Sequence, residues 1–154
     1  MADKDLATIL LVEDEASDAT LMQRAFDKAG VKNPIVNLKS GDAALGYLAG
    51  VGKYADRLRY PLPVLILLDL KMPGMTGLQL LQWMRTKSDV RRIPVVVLTN
   101  DAAPTTVKAA YDLGANSYLV KPGDPDQVAR MVDTVQRYWM ELNHPPPLVM
   151  GAEG

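Results

Sequence analysis

The chain of 154 residues has no cysteine, a single histidine, and no apolar run approaching the ~18 residues that span a bilayer. Without cysteine there can be no disulfide, no thiolate metal site and no cysteine nucleophile, and the composition is compatible with a reducing compartment. Charge of one sign is also lacking. Seventeen basic residues against 18 acidic ones leave a net charge of −1, so no overall field favours nucleic acid or an anionic membrane. The opening "MADKDLA" carries two acids and no apolar signal core, and a soluble cytoplasmic protein is expected. What the chain does have is 48% hydrophobic residues, enough for one proper core and too short a length for a second domain.

Short β-branched or Leu-rich runs alternate with longer stretches of helical period, the pattern of a doubly wound α/β protein with five parallel strands and helices on both faces. The predicted strands are "TILLV" (8–12), "IVNLK" (35–39), "VLILLD" (64–69), "VVVLT" (95–99) and "SYLV" (117–120). Helices are expected over 17–30, with Gly30 as a stop, over 41–50, over 76–87 behind a Thr76 cap, over 105–115, and from Pro125 to about Leu142. The insert "VGKYADRLRYPLP" (51–63) is polar and Pro-rich and reads as a loop. The folded domain is expected over 1–143, followed by an extended Pro-rich tail, 144–154.

The third strand runs five apolar residues from Val64 to Leu68 directly into Asp69 and a Pro/Gly turn. A charge at that point belongs at the carboxyl edge of a parallel sheet, where open α/β folds place their ligands. The first strand ends in "VEDE", which brings Glu13 and Asp14 to the same rim. Two unit charges ~4 Å apart at an effective dielectric of 20 repel by about 4 kcal/mol, so such a cluster needs a raised pKa or a cation. Oxygen ligands without histidine or cysteine select Mg²⁺. Thr99, at the end of the fourth strand, and Lys121, just past the fifth, complete the rim.

Asp69, Thr99 and Lys121 at successive strand ends, with "VED" and "KP" both present, make residues 6 to 142 resemble the receiver domain of two-component response regulators. The resemblance implies a flavodoxin-like (βα)5 fold in which Asp69 accepts a phosphoryl group from a sensor histidine kinase. It implies that Asp14, Asp69 and the backbone carbonyl of Lys71 hold Mg²⁺, with Glu13 acting mainly through metal-bound water. Lys121 and Thr99 would contact phosphoryl oxygens, and Tyr118 matches the family's switch aromatic. The Lys121–Pro122 bond would be cis. Such a protein is a signalling switch and not an enzyme with an outside substrate, apart from its own phosphorylation and slow dephosphorylation. Its output face would be the fourth helix, fifth strand and fifth helix.

Within that frame Thr76 stands where the family often has aspartate, and both residues cap helices. Lys71 and Asp101, each two residues past a site residue, sit at the pocket mouth; pairing there would screen an acyl phosphate from water. The insert, the long last helix ending "QRYWMEL" and the words "RRIPVVVLT" resemble the single-domain regulators that accompany phytochrome-type kinases. In the last helix Tyr138, Trp139 and Met140 widen the apolar stripe, a surface for a homodimer completed by Tyr111 of the fourth helix.

Each residue also has an ordinary reading. Glu13 and Asp14 alone are solvated turn residues, Asp69 a cap, Lys121 a surface lysine and Tyr118 a packed strand aromatic. It is their joint placement on one rim that argues for function. His144 sits beside three prolines and is no relay, so the phosphoryl donor must lie elsewhere. Arg57, Arg59, Arg91 and Arg92 read as solvated loop charges. An aspartate-nucleophile phosphatase would carry a second acid at position 71, where this chain has lysine, and a flavodoxin-like cofactor binder would not open its phosphate loop with acids. A purely structural module would not retain the full reactive set.

Overall fold

The computed structural model describes residues 7–147; residues 1–6 and 148–154, and with them most of the expected tail, lie outside the described residues. Five strands, β1 (Ile9–Val12), β2 (Ile35–Leu38), β3 (Leu65–Leu68), β4 (Val95–Thr99) and β5 (Ser117–Val120), form one sheet in the order β2-β1-β3-β4-β5. Every neighbouring pair is parallel. Helices α1 (Ala16–Lys28), α2 (Gly41–Ala49), α3 (Gly77–Arg85), α4 (Pro104–Asp112) and α5 (Pro125–Gln136) connect and follow the strands. The expected strands are present to within a residue at each end.

Alternation along each strand divides the core in two. Leu10, Val12, Ile66, Leu68, Val95 and Val97 pack beneath α2, α3 and α4, while Ile9, Leu11, Leu65, Leu67, Val96 and Leu98 pack against α1 and α5. β1 and β3 are buried throughout, as their unbroken apolar runs require, whereas the edge strands β2 and β5 are mostly half-buried. Burying each large aliphatic side chain contributes about 1.5–3 kcal/mol. The chain leaves β1 toward β2 and returns on the other side to β3, so the strand order reverses between β1 and β3. A crevice opens at the carboxyl ends of those two strands.

Local chemistry sets the turns around that crevice. Thr76 caps α3 through a reciprocal capping box: its hydroxyl accepts the Gln79 N–H at 3.2 Å and the Gln79 side chain accepts the Thr76 N–H at 2.8 Å. Gly77, the first residue of α3, is required by close approach, because a Cβ there would meet the Asp69 carbonyl oxygen at 2.6 Å and Leu70 Cα at 2.8 Å. The end of β3 and the start of α3 are thereby held against one another.

Three expectations are corrected, and the fifth helix, which runs to Leu142 as expected, changes type on the way. The insert is not a featureless loop: it contains a 3₁₀ turn at Gly52–Ala55, and its Tyr54 and Tyr60 cluster with Tyr47 of α2, with centroids 4.9 to 6.2 Å apart. Arg57 is not a solvated charge. Its guanidinium donates to the carbonyls of Tyr47, Leu48 and Tyr60 at 2.8, 2.9 and 3.1 Å, satisfying the C-terminal end of α2. The fifth helix keeps α geometry only to Gln136 and continues as a π-helical turn over Arg137–Leu142, which tucks Trp139 and Met140 against the α1/α5 core. No cis peptide bond occurs among the described residues, so Lys121–Pro122 is trans. The Lys121 N–H still reaches the Thr99 carbonyl at 2.8 Å, and β5 pairs with β4 through Val120, without that bend.

Candidate functional site

The rim is built from backbone registration. β1 continues past Val12 with the Glu13 N–H donating to the Leu38 carbonyl at 2.9 Å, and the Asp69 N–H donates to the Val12 carbonyl at 3.0 Å. Pairing of the strands therefore fixes where both acids leave the sheet. Glu13 is 2% exposed and Asp69 7%, with Thr99 wholly buried beside them. Carboxylate oxygens of Glu13, Asp14 and Asp69 all lie within 4.8 Å of one another, an all-oxygen set fitted to a divalent cation.

Lys121 crosses this cluster from the end of β5. Its ammonium donates to Glu13 Oε1 at 2.6 Å, Asp18 Oδ2 at 2.9 Å and Asp69 Oδ2 at 3.0 Å. All three N–H groups of the ammonium are thus committed. Burial alone would push this lysine down; the hydrogen bonds to Glu13, Asp18 and Asp69 overcome it and hold the group above its ordinary value. Glu13 moves the same way for the opposite reason: burial raises it, and the hydrogen bond from Lys121 offsets only part of that. Four carboxylates therefore face one ammonium, leaving excess negative charge at the crevice.

Asp14, Asp18, Asp69, Lys71, Thr99 and Lys121 line one pocket of about 190 Å³. The Lys71 N–H donates to Asp69 Oδ1 at 3.2 Å, while its side chain, 72% exposed, stands 3.9 Å from Asp101 Oδ2. Asp101 also accepts from the Ala103 N–H at 2.9 Å and the Thr106 hydroxyl at 3.1 Å, and the backbone bond, chiefly, lowers its pKa. The Tyr118 hydroxyl donates to the Asp101 carbonyl at 2.5 Å, tying β5 to the loop after β4. Burial raises the Tyr118 phenol, and the charges of Asp101 and Asp69 add to that.

The structure thus gathers Glu13, Asp14, Asp69, Thr99 and Lys121 in one place, with Lys71 and Asp101 at its edge and Tyr118 anchored below. Tyr138 is 50% exposed and Tyr111 47%, away from the crevice, whereas Trp139 and Met140 are half-buried. Sequence reasoning missed Asp18. The available signal was its place four residues after Asp14 in the first turn of α1, one helical turn above the rim.

Residues 9–133 match the response regulator receiver domain family. Over 146 residues the chain is 37% identical to the probable methanogenesis regulatory protein FilR2 of Methanothrix harundinacea, covering 93% of this chain and 90% of that protein. It is 36% identical over 133 residues to the response regulator Rcp1 of Synechocystis sp., covering 86% and 88%. Among solved structures, the phosphorylated cyanobacterial phytochrome response regulator RcpA superposes with a TM-score of 0.86 at 32% identity, covering 92% of this chain and 99% of that one. The Mn(2+)-bound form of Rcp1 gives 0.83 at 35% identity, with the same coverage of 92% and 99%. None of the described helices is long and apolar enough to cross a membrane.

Proposed function

Because the chain belongs to the response regulator receiver domain family, we propose that its Asp69 accepts a phosphoryl group from a histidine kinase and that phosphorylation switches the α4-β5-α5 face. The carrying observation is the Asp69 carboxylate, almost fully buried at the sheet's switch point and held between an ammonium and further acids. An Asp69 carboxylate oxygen attacks phosphorus; a P–O bond forms as the P–N bond of phosphohistidine breaks, and the imidazole nitrogen keeps the electron pair and takes up a proton. Such a transfer asks the protein for positioning and charge stabilisation more than for covalent chemistry.

Asp14, Asp69 and the carbonyl of Lys71 would hold Mg²⁺, with Glu13 behind them; bound there, the ion supplies positive charge to the equatorial phosphoryl oxygens. Lys121 supplies a second positive charge from the β5 side, and Thr99 a hydroxyl. Tyr118, bonded to the loop that follows Thr99, would carry the change to α4. The same residues account for self-phosphorylation by small phosphodonors and for slow hydrolysis.

Likeness to RcpA and Rcp1 supports a phytochrome-type sensor kinase as the donor, acting in the cytoplasm. We assign no nucleic-acid or membrane partner. Exposed Tyr111, Val120 and Tyr138 support a homodimer through the last helices; light scattering that gave a monomer mass before and after phosphorylation would discount it. The central test is incubation with acetyl phosphate and Mg²⁺ followed by intact mass. One phosphoryl group is expected on the parent and none on Asp69→Asn. An unmodified parent, or modification that survives in Asp69→Asn, refutes the assignment.

A further inference from the structure

We propose that Asp18 is a positioning residue that holds the Lys121 ammonium at the phosphoryl pocket while the lysine's other two partners are taken up by the reaction. The proposal rests on the receiver reading above. The three acceptors of Lys121 come from three different elements: Glu13 past β1, Asp18 on α1 and Asp69 past β3. Two of them have other duties. Asp69 is the oxygen nucleophile, and Glu13 belongs to the group of acids whose oxygens crowd within 4.8 Å.

Asp18 is outside that group, yet it lines the same pocket as Asp69. It is also the partner whose position does not depend on the rim. α1 is anchored by buried Met22, Ala25 and Phe26, so one turn earlier Asp18 is presented on a fixed helix, where a first-turn acid is favoured by the helix dipole. Lys121 needs such a tether, because it follows the edge strand β5 at half-exposed Val120 and its four-carbon stem has many rotamers. An ammonium that keeps one bond to Asp18 can pass its bond from Asp69 Oδ2 to a phosphoryl oxygen without leaving the pocket.

The rival account is a partly exposed ion pair, with Asp18 37% exposed, that adds a little stability and nothing else. A double-mutant cycle separates the two, reading the phosphorylation rate with acetyl phosphate and Mg²⁺ by intact mass. Asp18→Asn is expected to slow phosphorylation roughly three- to tenfold, and Asp18→Glu to restore most of the rate. In a Lys121→Ala background Asp18→Asn is expected to have no further effect. In metal-free protein the ¹⁵N-ammonium resonance of Lys121, held in slow exchange by its three acceptors, should shift or broaden in Asp18→Asn. A parent-like rate in Asp18→Asn, or an equal loss with and without Lys121, overturns the proposal. A parent that takes no phosphoryl group on Asp69 overturns the receiver reading as well, whereas a normal parent beside an indifferent Asp18→Asn overturns this proposal alone.

Discussion

Two half-buried cations in this protein each donate to three oxygens, and they differ in whose oxygens those are. Arg57 in the insert donates to three backbone carbonyls, of Tyr47, Leu48 and Tyr60, which lie at most 10 residues away in sequence. Lys121 donates to three carboxylates that lie 52 to 108 residues away. The acceptors of Arg57 are fixed main-chain carbonyls at the end of α2 and in the insert, that of Tyr47 shared with the Gly50 N–H, so Arg57 acts as a permanent clamp, its planar fork matched to them. Carboxylates can be claimed by a metal ion or esterified. The same count of hydrogen bonds is therefore structural in one region and, under the proposed function, exchangeable in the other.

That contrast breaks first at Lys121. Lys121→Ala is expected to lower the phosphorylation rate roughly a hundredfold, the scale for removing one preorganised donor from a developing charge. It also strands buried Glu13, so Mg²⁺ should raise the melting temperature of this variant more than that of the parent. Calorimetry with and without Mg²⁺ reads the second effect. Arg57→Ala should do the reverse, costing about 2 kcal/mol of stability in urea unfolding while the phosphorylation rate stays at the parent's value. Arg57→Lys should recover only part of that stability, because the three bonds come from two guanidinium nitrogens, Nη1 and Nη2, whose planar spacing one ammonium nitrogen does not reproduce.

The smallest effect belongs to the partly exposed pair at the pocket mouth. Lys71 and Asp101, 3.9 Å apart, are proposed to screen the acyl phosphate, and loss of either side chain should shorten its lifetime about twofold, in keeping with the modest strength of exposed pairs. If Lys71→Ala and Asp101→Ala both dephosphorylate at the parent's rate, the pair has no such part.

The sheet and the gathering of acids at its rim were legible because they follow from short-range rules. Apolar runs of strand length ending in Asp69, Glu13 and Thr99 place those residues on one edge once the strands are parallel. Asp18 was not legible in that way, because it reaches the site from a helix, and its aim depends on how α1 packs over the sheet. Arg57 escaped for a related reason. Its acceptors are main-chain carbonyls, which leave no trace in side-chain pattern, and the tyrosines around it are spaced irregularly at 47, 54 and 60. The π-helical turn that draws Trp139 and Met140 inward is likewise a packing outcome, since the stripe of apolar residues fits either helix type.

The central claim is that a buried carboxylate, Asp69, becomes esterified because Lys121 and a divalent cation together stabilise the added charge. A crystal structure with Mg²⁺ and beryllofluoride tests it most directly. The account predicts a fluoroberyllate bonded to Asp69, a metal ion between Asp14 and Asp69, and the Lys121 ammonium turned from Asp69 Oδ2 to a fluorine while keeping its bond to Asp18. A fluoroberyllate on another residue, or a Lys121 still bonded to Asp69 Oδ2 beside a vacant crevice, would contradict it.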